Sequence, residues 1–184
     1  MSKNTKSDDK KPLGSLISSR NYGTFAGILI GCSFAVLAIL LSFEDIPQIY
    51  IYHSVGWLLV SICSYYECIV QYSEYERKIK RKSIEKYNYN FLLGSYGYYL
   101  GSFSFIISIN YILLNFNLNI HSLGLSFFLL YKVIWWVREI IVEIIYDIRK
   151  RQHRIFIGLN IFLLGFFAFF FYLLGFHIIY EIVD

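Results

Sequence analysis

Four long stretches of this 184-residue sequence contain no Asp, Glu, Lys or Arg. They cover residues 21–43, 46–66, 87–131 and 155–180. A helix needs about 20 mostly apolar residues to cross the roughly 30 Å hydrocarbon layer of a bilayer. Every stretch reaches that length, so the chain is predicted to be an integral membrane protein.

The composition excludes several other classes of protein. The chain is 57% hydrophobic and only 16% charged, whereas a soluble domain typically has about 25% charged residues. So few charges cannot cover a surface that faces water, which argues against a soluble enzyme. Three cysteines are too few for a disulfide-rich secreted scaffold.

The stretch 87–131 is too long for one crossing, because a single helix of its 45 residues would be about 68 Å long. Asn115, Asn117 and Asn119 stand at alternate positions within it and are typical of a turn. The sequence therefore predicts an all-α, polytopic bundle of five transmembrane helices. A four-helix alternative leaves 155–180 unplaced. The predicted spans are about 22–43, 48–70, 91–115, 119–137 and 155–180, forming a single bundle over 21–184.

The 17 Lys and Arg residues predict the orientation of the bundle. They fall in 1–20, in 77–86 and in 132–154, and five spans bring all three groups to the same side. Cytoplasmic segments next to spans are enriched in Lys and Arg. The N-terminus is therefore predicted to be cytoplasmic, with the C-terminus on the opposite side. That side receives only acidic residues at its predicted helix ends: Glu44, Asp45, Glu181 and Asp184.

Two of the basic segments carry predictions of their own. Residues 1–20 are polar and mixed in charge, which predicts a disordered cytoplasmic tail. Residues 77–86 are strongly basic and follow a predicted span. Lys and Arg in that position are attracted to anionic lipid headgroups, so lipid is the predicted partner there and nucleic acid is not.

Rows of small residues in the spans predict where helices meet. Helices in a bilayer associate by close packing, and small side chains let their backbones approach. The third and fifth helices are predicted to lie inside the bundle. The rows are Gly23, Gly27, Gly31 and Ala35 in the first span, Gly94, Gly97, Gly101, Ser104 and Ser108 in the third, and Gly158, Gly165, Ala168 and Gly175 in the fifth.

The fourth helix is predicted to continue beyond the membrane, because residues 125–154 contain neither Gly nor Pro. Its cytoplasmic half is amphipathic, with an apolar stripe that includes Ile134 and Ile141. The opposite face carries acidic residues. The helix either rests on the headgroups or packs against residues 73–90, or it docks a cytoplasmic partner through Glu139, Glu143 and Asp147.

Three polar residues fall within the predicted spans at a similar depth: Glu67, Lys132 and Asn160. Each lies about one and a half turns from the predicted cytoplasmic boundary. Charged groups in a bilayer are costly and pair with one another. Glu67 and Lys132 are therefore predicted to approach each other near Asn160. The alternative is that both charged side chains extend separately to the interface.

No catalytic motif accompanies these polar groups. The sequence lacks HExxH, GxSxG and the phosphate-binding glycine loops. His53, His121 and His177 come from three predicted helices without metal-ligand spacing, so neither a metal nor a cofactor is predicted. The chain is predicted to be a non-enzymatic subunit that packs with itself or with another protein through its small-residue faces. The alternative is an ion channel or small-solute transporter lined by the polar cluster.

Overall fold

The computed structural model describes residues 11–42, 48–80, 87–149 and 154–183. In this part of the chain the secondary structure is helical and contains no strand, as predicted. Five helices are present in the described residues: α1 (Lys11–Leu41), α2 (Gln48–Lys80), α3 (Tyr87–Asn115), α4 (Asn119–Arg149) and α5 (Arg154–Val183).

Three of these helices contain segments long and apolar enough to span a membrane: Arg20–Leu41, Asn90–Asn115 and Asn119–Arg138. Their length and composition indicate membrane localisation. In α5 the apolar segment among the described residues is Gly165–Tyr180. In α2 the Leu, Val and Ile residues are interspersed with Tyr, Ser and charged residues, which makes this helix less apolar than the other four.

The beginning of α1 differs from the sequence-based prediction. The helix begins at Lys11, so residues 11–20, which were expected to be disordered, are helical. Pro12 does not oppose this start, because an N–H in the first helical turn has no partner within the helix. The remainder of the predicted tail, residues 1–10, lies outside the described residues.

The predicted turn between the third and fourth helices is confirmed. Asn117 has a φ of 54°, in the left-handed region that Asn tolerates better than most residues. Its N–H donates to the Leu114 carbonyl at 3.0 Å, and the Leu118 N–H donates to the Leu113 carbonyl at 2.9 Å. These bonds satisfy carbonyls at the end of α3, and α4 begins at Asn119.

The helix α4 is unbroken from Asn119 to Arg149, which confirms that it continues past the predicted end of its span. Its packing face differs from the predicted apolar stripe, because Ile134 is 63% exposed and Ile141 is 44% exposed. The buried residues follow another line along the helix, with the three- and four-residue spacing of helix packing. They are Ser122, Ser126, Leu129, Val133 and Trp136.

The chain divides into two compact units that share helices. The first unit combines α1 with residues 55–80 of α2 and 87–105 of α3. The second combines residues 48–54 of α2 and 106–115 of α3 with α4 and α5. The core of the first unit contains Ala26, Tyr65, Cys68 and Tyr72, and in the second unit α4 packs against α5.

Candidate functional site

In the first unit α2 and α3 approach each other closely at Gly97 of α3. A Cβ atom built at this position would lie 2.8 Å from the Ser64 carbonyl oxygen and 3.0 Å from the Cys68 nitrogen. Both are backbone atoms of α2, so the contact cannot be relieved by turning a side chain. Only glycine permits the two backbones to approach this closely.

Tyrosines of α2 occupy the places that two other glycines of α3 leave open. A Cβ at Gly94 would lie 2.8 Å from the Tyr72 ring, and a Cβ at Gly101 would lie 2.8 Å from the Tyr65 ring. Both tyrosines are almost fully buried, with 2% and 0% exposure. The predicted small-residue row of the third helix thus lies against large aromatic side chains of the second.

Hydrogen bonds between the helices reinforce this packing. The Tyr65 hydroxyl donates to Ser102 Oγ at 3.1 Å, and the Tyr72 and Ser95 hydroxyls share a bond of 3.0 Å. Tyr72 lies beyond the predicted span 48–70, and burial raises the pKa of its phenol above the ordinary value. The hydroxyl therefore remains protonated and can donate or accept.

Serine side chains add further bonds between α2 and α3. In the first unit Ser61 Oγ donates to the Gly101 carbonyl at 2.9 Å. In the second unit Ser108 Oγ donates to the Ser54 carbonyl at 2.8 Å, and Ser54 Oγ donates to the Ser108 carbonyl at 3.3 Å. Ser104, another member of the predicted row, is fully buried.

The helix α1 joins the first unit by one of its faces. Ala26 is buried in the core, and the Tyr22 ring stacks on Tyr72 with centroids 5.9 Å apart. Arg20 Nε lies 3.4 Å from Glu76 Oε1 and so adds an ion pair to α2. Ser33 and Leu40, at seven-residue steps from Ala26, are buried as well.

The predicted glycine row of α1 lies on a different face and meets no described part of the chain. Cβ atoms built at Gly23, Gly27 and Gly31 would have no described atom within 4 Å. Gly27, Gly31 and Ala35 are exposed, and Gly23 is half-buried. This row therefore differs from that of α3, although the two rows look similar in the sequence.

The row of α5 is filled at one end only. A Cβ at Gly175 would lie 2.9 Å from Leu130 Cδ2 of α4. Gly158 and Gly165 are exposed with no described atom within 4 Å, and Ala168 is half-buried. Among the described residues this row contacts another helix at Gly175, and the packing of its first half stays a prediction. Exposed aromatic side chains such as Phe166 and Phe169 share the same helix.

The predicted polar residues have separate local partners. Glu67 Oε1 accepts a hydrogen bond of 2.6 Å from Gln71 Nε2. The Lys132 ammonium lies 5.4 Å from the Phe128 ring centroid and 5.0 Å from that of Trp135. Glu67 belongs to the first unit and Lys132 to the second, so their approach stays a prediction. The side chain of Asn160 lies outside those described.

The remaining predicted sites are described only in part. The side chains of Glu139, Glu143 and Asp147 lie outside those described, as do those of 78–86 in the predicted lipid-binding segment. Arg77 is exposed, and its Nη1 lies 2.8 Å from Glu74 Oε1. His53, His121 and His177 are exposed, and His53 stacks on Tyr111 with centroids 5.1 Å apart. Among the described residues no cluster suited to a metal ion occurs.

Sequence reasoning missed the residues of α2 that fill the α3 row. Tyr65 and Tyr72 are seven residues apart, as are Ser61 and Cys68. This repeat matches the seven-residue step from Gly94 to Gly101 and is typical of helices that pack along a common seam. The spacing was available in the sequence, but an aromatic residue in a span is equally typical of a surface that faces lipid.

Comparison of the chain with protein-family models, with curated proteins and with solved structures finds no match.

Proposed function

We propose that this chain is a non-enzymatic, polytopic membrane subunit that assembles with a second copy of itself or with another membrane protein. Its five helices would cross the bilayer with the N-terminus in the cytoplasm and the C-terminus opposite. The proposed contact is the open face of α1 formed by Gly23, Gly27, Gly31 and Ala35. The observation that supports it is the contrast between this face and the filled row of α3.

A glycine in a helix is unfavourable by about 1 kcal/mol relative to alanine. In α3 the close approach of α2 accounts for that cost, because a Cβ at Gly97 would meet backbone atoms. In α1 no described atom lies near Gly23, Gly27 or Gly31, so contacts among the described residues do not explain the row. A helix of another molecule would explain it, since rows of small residues at four-residue spacing bring membrane helices together.

Gly27→Leu tests this proposal, because a leucine side chain would separate backbones that meet at this face. We expect the wild-type protein, extracted in a mild detergent, to have a native mass above the 21.7 kDa of one chain. The Gly27→Leu variant is expected to lose that additional mass while its helical circular dichroism and unfolding temperature stay unchanged.

Cys32→Leu is the matched control, since Cys32 is exposed on the same helix but lies outside the glycine row. It should retain the wild-type mass. If Gly27→Leu also retains it, the open face of α1 meets lipid and the proposal fails at this face.

A further inference from the structure

The three described carboxylates of the first unit differ in their partners. Glu74 lies 2.8 Å from Arg77, and Glu76 lies 3.4 Å from Arg20. Glu67 instead accepts a hydrogen bond from the neutral amide of Gln71. Of the three acidic side chains described in this unit, Glu67 is therefore the one paired with an amide and not with a cation, and its residue is exposed.

A buried residue fixes the direction of that hydrogen bond. Asn90, which is 6% exposed, donates from Nδ2 to Gln71 Oε1 at 2.6 Å. The oxygen of the Gln71 amide is thereby occupied, so its Nε2 points to Glu67. The carboxylate is held on the outer side of α2 by a chain of two amides that is anchored on α3.

The exposed residues that precede Glu67 on α2 are uncharged. Glu74, two turns further along the same face, is already paired with Arg77. On the same helix Tyr66 is 65% exposed and Val60 is 40% exposed, and Cys63 is exposed as well. A single acidic group within such a surface is suited to a contact with a cation, because an ionised group in an apolar environment requires an opposite charge or hydrogen bonds.

The opposite charge is present in the second unit on a similar surface. Lys132 is partly exposed, and the rings of Phe128 and Trp135 lie near its ammonium group. Ring faces attract a cation. The three N–H donors of an ammonium, however, bind more strongly to carboxylate oxygens than to a ring face. Tyr131 and Ile134 beside it are exposed and uncharged.

We propose that Glu67 of one copy of this chain pairs with Lys132 of a second copy. Their charges are complementary. Glu67 is hydrogen-bonded to an amide and Lys132 lies near ring faces, so neither has an opposite charge among its described partners. Both are also predicted at the same depth in the bilayer. In a two-fold dimer each contact occurs twice, so two identical pairs would form. This inference rests on the proposed function, and it specifies the partner as a second copy.

Charge reversal in two differently tagged chains tests the pairing between copies. Glu67→Lys alone and Lys132→Glu alone would each place like charges opposite one another, so each variant is expected to lose the dimer by more than about tenfold. Co-expression of the two variants should restore a mixed dimer, because both contacts then join opposite charges. Recovery of one tag with the other in detergent measures this result.

Glu74→Lys and Arg77→Glu provide the matched control. These residues pair within one helix at an i, i+3 spacing, so reversing either charge should leave the dimer unchanged and mixing should have no effect. If the Glu67→Lys and Lys132→Glu chains stay monomeric when mixed, or if either alone keeps the wild-type dimer, the inference is overturned.

Cross-linking gives a second measurement in case the charge-reversed chains do not fold. With the native cysteines replaced by serine, Glu67→Cys and Lys132→Cys are placed on separate tagged chains and treated with a short bismaleimide. We expect a covalent dimer that carries both tags. If instead the two cysteines cross-link only when they are in the same chain, the pair forms within one molecule and the inference is wrong.

The failure of this inference is separable from failure of the proposed function. A wild-type complex that contains another membrane protein and one copy of this chain would overturn the Glu67–Lys132 pairing between copies. It would leave the subunit role intact, and the Gly27→Leu test would then report on the contact with that other protein.

Discussion

A glycine stabilises this fold at some positions and destabilises a helix at others. The difference depends on which atoms surround the place where a Cβ would be. At Gly97 the nearest atoms would be the Ser64 carbonyl oxygen and the Cys68 nitrogen, at 2.8 and 3.0 Å. A Cβ built at Gly56 of α2 would have no described atom within 4 Å apart from the adjacent backbone of its own helix. Gly97 permits a backbone contact between two helices. Gly56 makes no such contact, so its low helix propensity is not offset.

Alanine substitutions should separate these two cases. Gly97→Ala is expected to destabilise the protein by about 1–3 kcal/mol, because α2 and α3 must move apart to admit the methyl group. Gly56→Ala should be neutral or stabilise it by up to about 1 kcal/mol, since alanine favours the helix. Thermal unfolding in detergent measures both. Equal unfolding temperatures for the two variants would show that the Gly97 contact is absent.

At the scale of elements, α2 and α3 form a helix pair with both close packing and hydrogen bonds. Tyrosine rings of α2 pack against glycines of α3, and the tyrosine hydroxyls form hydrogen bonds with the serines next to those glycines. The rings occupy the space beside the glycines. Their hydroxyls are thereby removed from water, so each requires a hydrogen-bond partner within the protein. The same seam therefore uses both shape and hydrogen bonding.

Tyr72→Phe tests the hydrogen-bonding part of this seam. Loss of the bond to Ser95 should lower the free energy of unfolding by about 0.5–1.5 kcal/mol, the usual net contribution of an intramolecular hydrogen bond. A double-mutant cycle with Ser95→Ala isolates the pair. Tyr66→Phe is the matched control, because Tyr66 is 65% exposed and should show no change. Additive effects in the cycle would argue against the bond.

At the scale of the whole molecule, the orientation in the membrane is the central proposal. The one-sided placement of the 17 Lys and Arg residues predicts that the α2–α3 connection is cytoplasmic. The turn between α3 and α4, where Phe116 is 49% exposed, is then on the opposite side. Both positions can be labelled in a chain whose native cysteines are replaced by serine.

Ser83→Cys and Phe116→Cys should respond in opposite ways to a maleimide that does not cross membranes. In intact cells we expect Phe116→Cys to be labelled and Ser83→Cys to be protected until the membrane is permeabilised. The two variants serve as controls for each other, since each reports on the other side of the bilayer. Labelling of Ser83→Cys in intact cells would require an inverted orientation or a different number of spans.

Several features of the fold follow from the sequence alone because they are encoded locally. The gaps between charged residues predict long helices, and the alternating asparagines predict the turn at Asn117, which the structure confirms. The unbroken α4 follows from the absence of Gly and Pro in residues 125–149. In each case nearby residues determine the conformation of the backbone.

The faces along which helices meet depend on tertiary packing and not on the local sequence. The small-residue rows of α1, α3 and α5 are similar in sequence, yet that of α3 is filled by α2, that of α5 is filled at Gly175, and that of α1 is open. The sequence could not distinguish them, because lipid is as apolar as a neighbouring helix and both accept the same side chains. The length of the uncharged stretches therefore determined the helices, and the shape of their partners determined the contacts.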